Sequence, residues 1–257
     1  MNKVPIIRIN DEGTSKVEDR VVEEFSLAIV LNDHELVRLL CSPENLDFLA
    51  VGFLFSEGLI KTREDIKEIN LEEEKGIIRM KTRDSGKPDK NIFSNRFIGS
   101  SGARGVPFEN NLQWEVGTGS QTRISPREVF TLMDEFIRCS EIFKETGGVH
   151  SAALCDKESI IIFHEDIGRH NAIDKVFGES ILKDMYTDDL IMITSGRVSS
   201  EIVLKVAKKN IPLLISKSAP TNKGVELAHD FCITLLGFVR GRRMNVYTHN
   251  RRIAYNG

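Results

Sequence analysis

Between residues 165 and 175 the chain reads Glu165-Asp166-Ile167-Gly168-Arg169-His170-Asn171-Ala172-Ile173-Asp174-Lys175. Carboxylates, a guanidinium, an imidazole and an amine crowd around one glycine. Such a set suits a ligand-binding junction. Ser159-Ile160-Ile161-Ile162-Phe163 runs into it as an apolar strand. Ala172, Ile173, Val176, Phe177, Ile181 and Leu182 follow at the spacing of one buried helix face. The polar residues therefore fall at a strand-to-helix junction, where free N–H groups and the helix dipole favour negative charge. A plainer role competes: Asp166 capping the helix, with the rest a solvated turn.

Three further junctions carry small polar or charged residues: Gly147-Gly148-Val149-His150-Ser151, Ser195-Gly196-Arg197-Val198-Ser199-Ser200-Glu201, and Ser218-Ala219-Pro220-Thr221. Consecutive parallel strands end on one sheet edge, so these tracts should converge. Ser195-Gly196-Arg197 offers a hydroxyl, open backbone and a guanidinium to an anionic ligand. Ser199 and Thr221 also suit plain helix capping. The last segment, Phe238-Val239-Arg240-Gly241-Arg242-Arg243, continues to Tyr247 and ends in Arg251-Arg252. Arginine forks match phosphate, and Phe238 or Tyr247 could stack on a base or pterin ring; a solvated basic tail is the alternative. The candidate ligand set is thus His150, Arg169, His170, Asn171, Ser195, Gly196, Arg197, Ser218 and Thr221, with Phe238, Val239, Arg240, Gly241, Arg242 and Arg243. The tract Gly99-Ser100-Ser101-Gly102-Ala103-Arg104-Gly105 could turn its amides inward as an anion nest. It lacks the Lys-Ser/Thr of a phosphate-binding P-loop.

The elements that must position these groups follow from periodicity. Residues 1–20 are polar and charged and read as a loose lead-in. Phe25–Leu31 and Leu36–Leu40 flank a short turn as a hairpin. Ser42-Pro43-Glu44 resembles a helix start, with Leu46, Leu49, Ala50, Phe53 and Leu54 as the buried face and Gly58 as the stop. Residues 65–71 and 76–81 alternate as half-buried strands. A long irregular tract covers 84–120. Ser125-Pro126-Arg127-Glu128 is a capping box opening a helix whose inner face is Val129, Leu132, Met133, Phe136 and Phe143, stopped at Gly147-Gly148. Beyond it, strands near 149–154, 159–163, 190–194, 213–216, 232–239 and 245–248 are interleaved with helices over 169–183, 199–209 and 221–231. That alternation predicts a layered α/β domain over 121–257, preceded by a smaller α+β domain over 20–120.

Composition sets outer limits. The net charge of −3 carries no nucleic-acid footprint. Met1-Asn2-Lys3-Val4-Pro5 has no apolar core of a signal peptide, and no apolar run is long enough to span a bilayer. Cys41, Cys139, Cys155 and Cys232 are far apart, as in a reducing compartment, so a cytoplasmic protein is expected. No C-x-x-C zinc pattern is present.

Together, Thr146–His150, Glu165–Lys175, Ser195-Gly196-Arg197, Ser218–Thr221, Gly237–Arg240 and Ala50–Leu54 with Glu57-Gly58 resemble the formate dehydrogenase accessory sulfurtransferase family, FdhD/NarQ. The resemblance runs from about residue 20 to the end. It implies a three-layer, cytidine-deaminase-like C-terminal domain and a homodimer. It also implies maturation of formate dehydrogenase: sulfur passes from a cysteine desulfurase to the molybdenum bis(molybdopterin guanine dinucleotide) cofactor, which is then inserted. A GDP-like nucleotide would be a surrogate ligand. The zinc motifs of deaminases, H-x-E and P-C-x-x-C, are absent, so no metal ligands are expected. One departure stands out. The family's sulfur relay uses a C-x-x-C, and Ser101 and Arg104 occupy those two positions. A hydroxyl cannot carry a persulfide, because the exchange needs a thiolate. Catalytic residues are therefore not assigned, and a non-catalytic cofactor-binding chaperone is the alternative reading.

Overall fold

The computed structural model describes residues 1–83 and 120–255. The 99–105 tract, with Ser101 and Arg104, lies outside the described residues. The chain opens with an antiparallel hairpin, β1 (Asn2–Asn10) and β2 (Gly13–Val21), where a loose lead-in was expected. Its register pairs Ile6 with Val17 and Val4 with Asp19. Few residues of the ribbon are even partly covered, so its apolar content is too thin to announce a strand in sequence.

A four-stranded sheet follows, in the order β4-β3-β6-β5. It comprises β3 (Phe25–Leu31), β4 (His34–Cys41), β5 (Ile66–Glu72) and β6 (Ile77–Thr82). Between β4 and β5 runs α1 (Leu46–Ser56). Its start corrects the reading at Ser42-Pro43: the N-cap is Asn45, in the left-handed region at φ 55°. Ser42 is taken by a longer-range partner. Its amide donates to Asp166 Oδ2 at 3.0 Å and its hydroxyl accepts from Ile167 N at 3.2 Å.

The second half builds a six-stranded sheet in the order β12-β11-β10-β9-β7-β8. Its elements are α2 (Pro126–Cys139), α3 (Glu141–Thr146), β7 (His150–Cys155), β8 (Ile160–Asp166), α4 (Arg169–Leu182), β9 (Ile191–Thr194), α5 (Ser200–Lys208), β10 (Leu213–Ser216), α6 (Asn222–Asp230), β11 (Thr234–Arg240) and β12 (Arg243–Val246). The capping box at Ser125 forms as expected, with Glu128 N donating to Ser125 Oγ and Ser125 N to Glu128 Oε2. The single helix expected to run to Gly147 instead breaks at Ser140. The buried Ser140 hydroxyl reaches back to Phe136 O and across to Ser151 Oγ, each at 3.0 Å. β9, β10 and β11 are parallel, but β7 runs against both β8 and β9. The reason is length. Asp156–Ser159 is too short for a parallel crossover, which needs a dozen residues or more. Asp156 Oδ1 closes that turn on the amides of Glu158 and Ser159.

Strand periodicity divides the interior in two. Ala153, Cys155, Ile191, Ile193, Leu213 and Ile215 face α2 on one side of the sheet. Ala152, Leu154, Met192 and Leu214 face α4, α5 and α6 on the other. This second core is continuous with Leu27, Ile29, Leu49, Leu54, Ile78 and Met80 of the N-terminal sheet and α1. α4 is the shared element. Its expected apolar face is buried except for the half-buried Leu182, and so are His170, Asp174, Lys175, Gly178 and Ser180 around the rest of its girth. α1 lies so close that a methyl at Gly52 would fall on the Asp174 carbonyl, and one at Gly178 on the Phe48 carbonyl. Among the described residues no helix is long and apolar enough to cross a membrane.

Candidate functional site

The carboxyl ends of β8, β9, β10 and β11 and the amino end of the reversed β7 meet at one edge of the sheet, so the four polar tracts do converge. They surround a cleft of about 490 Å³, lined by Phe143, Gly147, Gly148, Val149, His150, Ile167, Ser195, Arg197, Lys217, Ser218, Ala219, Phe238 and Arg240. Six candidates from the sequence line it: His150, Ser195, Arg197, Ser218, Phe238 and Arg240.

The walls are set by local hydrogen bonds. Ser195 Oγ accepts from Ser151 N at 2.9 Å and lies 3.3 Å from His150 Nδ1, tying β7 to the β9 junction. Burial, and then the Arg169 and Arg197 charges, hold His150 below the usual histidine range, so the neutral ring is favoured. Ser216 Oγ donates to Gly196 O at 2.7 Å and accepts from Ser218 N at 2.9 Å. Val198 N donates to Ala219 O and Thr221 N to Val198 O, zipping two junctions together. Phe238 sits at φ 53° beside the register shift between Gly237 and Arg240. A non-glycine residue in the left-handed region is costly and marks a conformation that its surroundings enforce. Arg240 stacks 5.6 Å from the Phe238 ring centroid.

Charge is the decisive property. Among the described residues, the half-buried Lys217 and the exposed Arg197 and Arg240 make no ion pair, whereas the buried Lys175 and Lys205 of the interior each have a carboxylate partner. Arg169 adds a fourth positive charge just behind the lining. Its side chain packs over Gly196, its Nε is buried without a hydrogen bond, and its pKa is lowered by burial and by Arg197. Unneutralised cations around a concave site call for an anion.

The remaining candidates serve other ends. His170 is buried, with Nε2 3.2 Å from Glu201 Oε2, and burial drives its pKa far below the ordinary value. Asn171 Nδ2 donates to Leu40 O and to Asp166 Oδ1, both at 2.9 Å. Gly196 is buried beneath Arg169. Thr221 caps α6, its hydroxyl accepting from Gly224 N at 3.1 Å. Val239 is fully buried in the core on the α2 side. Gly241 forms the exposed turn before β12, Arg242 pairs with Asp134 at 3.4 Å and stacks on Phe130, and Arg243 is exposed. Tyr247 packs against Gly237. Arg252 is no solvated tail: it is buried and donates to Cys232 O at 2.8 Å.

Much of the 165–175 stretch is interior scaffolding. Asp166 and Lys175, both fully buried, pair at 2.7 Å. The carboxylate also accepts from Ser42 N, Gly168 N and Asn171 Nδ2, and the ammonium reaches Ser42 O and Glu165 O. Asp174 pairs with the buried Lys205 at 2.6 Å and accepts from Ser56 Oγ at 2.6 Å. Both networks join the N-terminal region to α4. Asp166 thus does not cap the helix in the simple sense, since the N-cap is Gly168. Glu165 turns outward to the amides of Ile142 and Phe143, at the start of α3.

Comparison with known proteins fixes the relationship. Residues 22–254 match the FdhD/NarQ family. The chain belongs to this family. It is 42% identical over 241 residues to the sulfur carrier protein FdhD of Bacillus subtilis, covering 93% of this chain and 92% of that one. A Staphylococcus aureus protein of the same name is 38% identical, covering 97% and 95%. A solved structure described as a formate dehydrogenase accessory protein, from Desulfotalea psychrophila, superposes with a TM-score of 0.79 at 27% identity, covering 98% of this chain and 99% of that one.

Phe143 and Lys217 are the lining residues that sequence reasoning passed over. Phe143 was expected in the core but is 43% exposed. The signal was Ser140-Glu141, a second helix start that resets the phase, so Phe143 leaves the face of Phe136. Lys217 stands between two junction serines, and nothing in its own pattern marks it.

Proposed function

We propose that this FdhD/NarQ protein acts in the maturation of formate dehydrogenase, taking sulfur from a cysteine desulfurase and presenting the molybdenum bis(molybdopterin guanine dinucleotide) cofactor to the enzyme. The names of its relatives support the pathway, and the cleft supports the ligand. Within the family's cytidine-deaminase-like sandwich, the observation that carries this reading is the cleft with Arg197, Lys217 and Arg240 unpaired among the described residues. Its volume suits one nucleotide-sized half of the cofactor, because small-ligand sites run to about 300–1,000 Å³. Arg197 and Arg240 would hold the diphosphate by paired N–H donors, and His150 and Ser195 would offer neutral polar contacts. Dimerisation and a cytoplasmic setting belong to the same reading.

GDP titrated into the purified chain tests it by calorimetry. Binding should weaken as salt rises, and Arg197→Ala and Arg240→Ala should each weaken it by about ten-fold. No binding at millimolar GDP would overturn the ligand assignment.

A second reading, a cofactor chaperone without a sulfur relay, is favoured by the thiols. Ser101 and Arg104 replace the relay pair, and all four cysteines lie among the described residues. Burial raises the Cys41 thiol to about 12 and pushes Cys155 and Cys139 up as well. A thiol held protonated is a poor nucleophile toward sulfane sulfur. Intact mass after incubation with a desulfurase and cysteine separates the two. The chaperone reading expects no added sulfur on the natural chain and loading on Ser101→Cys/Arg104→Cys. A persulfide mapped to any natural cysteine would restore the full relay.

A further inference from the structure

We propose that Phe143 is the stacking platform for the planar base of the bound nucleotide, with Lys217 as the cation that covers this ring until the base arrives and then serves the phosphate. The proposal rests on the anionic-ligand reading of the cleft and adds how its ligand is recognised. The Lys217 ammonium lies 5.6 Å from the Phe143 centroid, and both residues line the cleft. A cation sits over the face of an aromatic ring, not its edge. The Phe143 face is therefore turned toward the space the ligand would fill. The ring is 43% exposed, unlike Phe136 one helix earlier, which is buried.

The platform is also rigid. Glu165 takes the amides of Ile142 and Phe143 at 2.9 and 3.1 Å, clamping the first turn of α3 to β8. Thr146 Oγ1 bonds Ile142 O at 2.7 Å, and Gly147 ends the helix at φ 65°. Lys217 has a fixed backbone, its amide on Thr194 O at 3.1 Å, and a long side chain with no ion pair among the described residues. One partner is thus preorganised and the other free to swing, so a base can replace an ammonium on the same face at little reorganisation cost. Base–aromatic stacking tolerates many rings but rewards a planar one.

The test uses GDP and inorganic pyrophosphate as calorimetric probes on the full chain, Phe143→Leu, Phe143→Tyr and Lys217→Met. Phe143→Leu should weaken GDP by about ten-fold and leave pyrophosphate unchanged, and Phe143→Tyr should restore GDP. Lys217→Met should weaken both probes. The proposal is overturned if Phe143→Leu leaves GDP unchanged or weakens both probes alike. If the natural chain binds pyrophosphate but not GDP, the platform falls and the anion site stands. If it binds neither, the reading of the cleft itself falls.

Discussion

Replacing Lys175 by Met, or Asp166 by Asn, separates scaffold from chemistry in the 165–175 stretch. Both side chains are fully buried and pair at 2.7 Å. Removing one member of such a pair costs about 3–5 kcal/mol, because the other charge is left without its counterpart. The surroundings rank the two changes. Without Lys175, the carboxylate keeps three donors, Ser42 N, Gly168 N and Asn171 Nδ2. In Asp166→Asn, the ammonium keeps only neutral acceptors, the new amide oxygen and the Ser42 and Glu165 carbonyls at 3.2 and 3.4 Å. Lys175→Met should therefore fall near the lower figure, about 3 kcal/mol, and Asp166→Asn near the upper, about 5 kcal/mol. At about 2–4 °C per kcal/mol for a chain of this size, melting drops by about 6–12 °C and 10–20 °C respectively. The double variant should recover part of the loss, since each single change leaves what the other removes. Urea denaturation followed by far-ultraviolet circular dichroism measures all three. If either single variant loses under about 1 kcal/mol, or if Lys175→Met proves the worse, the lock described above is wrong.

Two further outcomes follow from the same interior. Gly178→Ala should destabilise by about 3 kcal/mol or more, because its methyl meets the Phe48 backbone and the two helices must part; a variant that melts like the natural chain would refute that close crossing. Stability should also depend on pH through His170, His150 and His164, all depressed below the ordinary value, mainly by burial. The unfolded chain takes up these protons first, so stability is full above about pH 6.5 and declines as pH falls below it. Urea midpoints from pH 7.5 to 5.5 should show the decline, and His170→Gln should flatten it; an unchanged slope would remove His170 from the account.

Elements governed by their own short pattern were legible in the sequence. The alternation of 191–194 and 213–216, the capping box at Ser125 and the apolar face of α4 all follow from spacing alone. What failed was governed at a distance. Ser42-Pro43 carries the residues of a helix start, yet Ser42 answers to Asp166, 124 residues away. The charges of 165–175 announced a special place, but no linear pattern says which of them face inward. Asp166, Asp174 and Lys175 went to the interior, Asn171 to a tether, and Arg169 alone came up behind the ligand cleft. The converging edge was foreseen on the assumption of parallel strands. It survives the reversal of β7 because a reversed strand brings its beginning to the place where its neighbours end.

The shared helix has a bearing on birth as well as on the finished molecule. Ser56 closes on Asp174 across 118 residues of chain. At about 5–20 residues per second, a ribosome takes roughly 6–24 s to deliver the second after the first. Through that interval α1 exists without the surface it is shaped for, its Phe48, Gly52 and Phe55 side still open. The first third of the protein thus waits, half-made and adhesive, for a strut that arrives late, and the nascent chain is most in need of a chaperone before α4 leaves the exit tunnel.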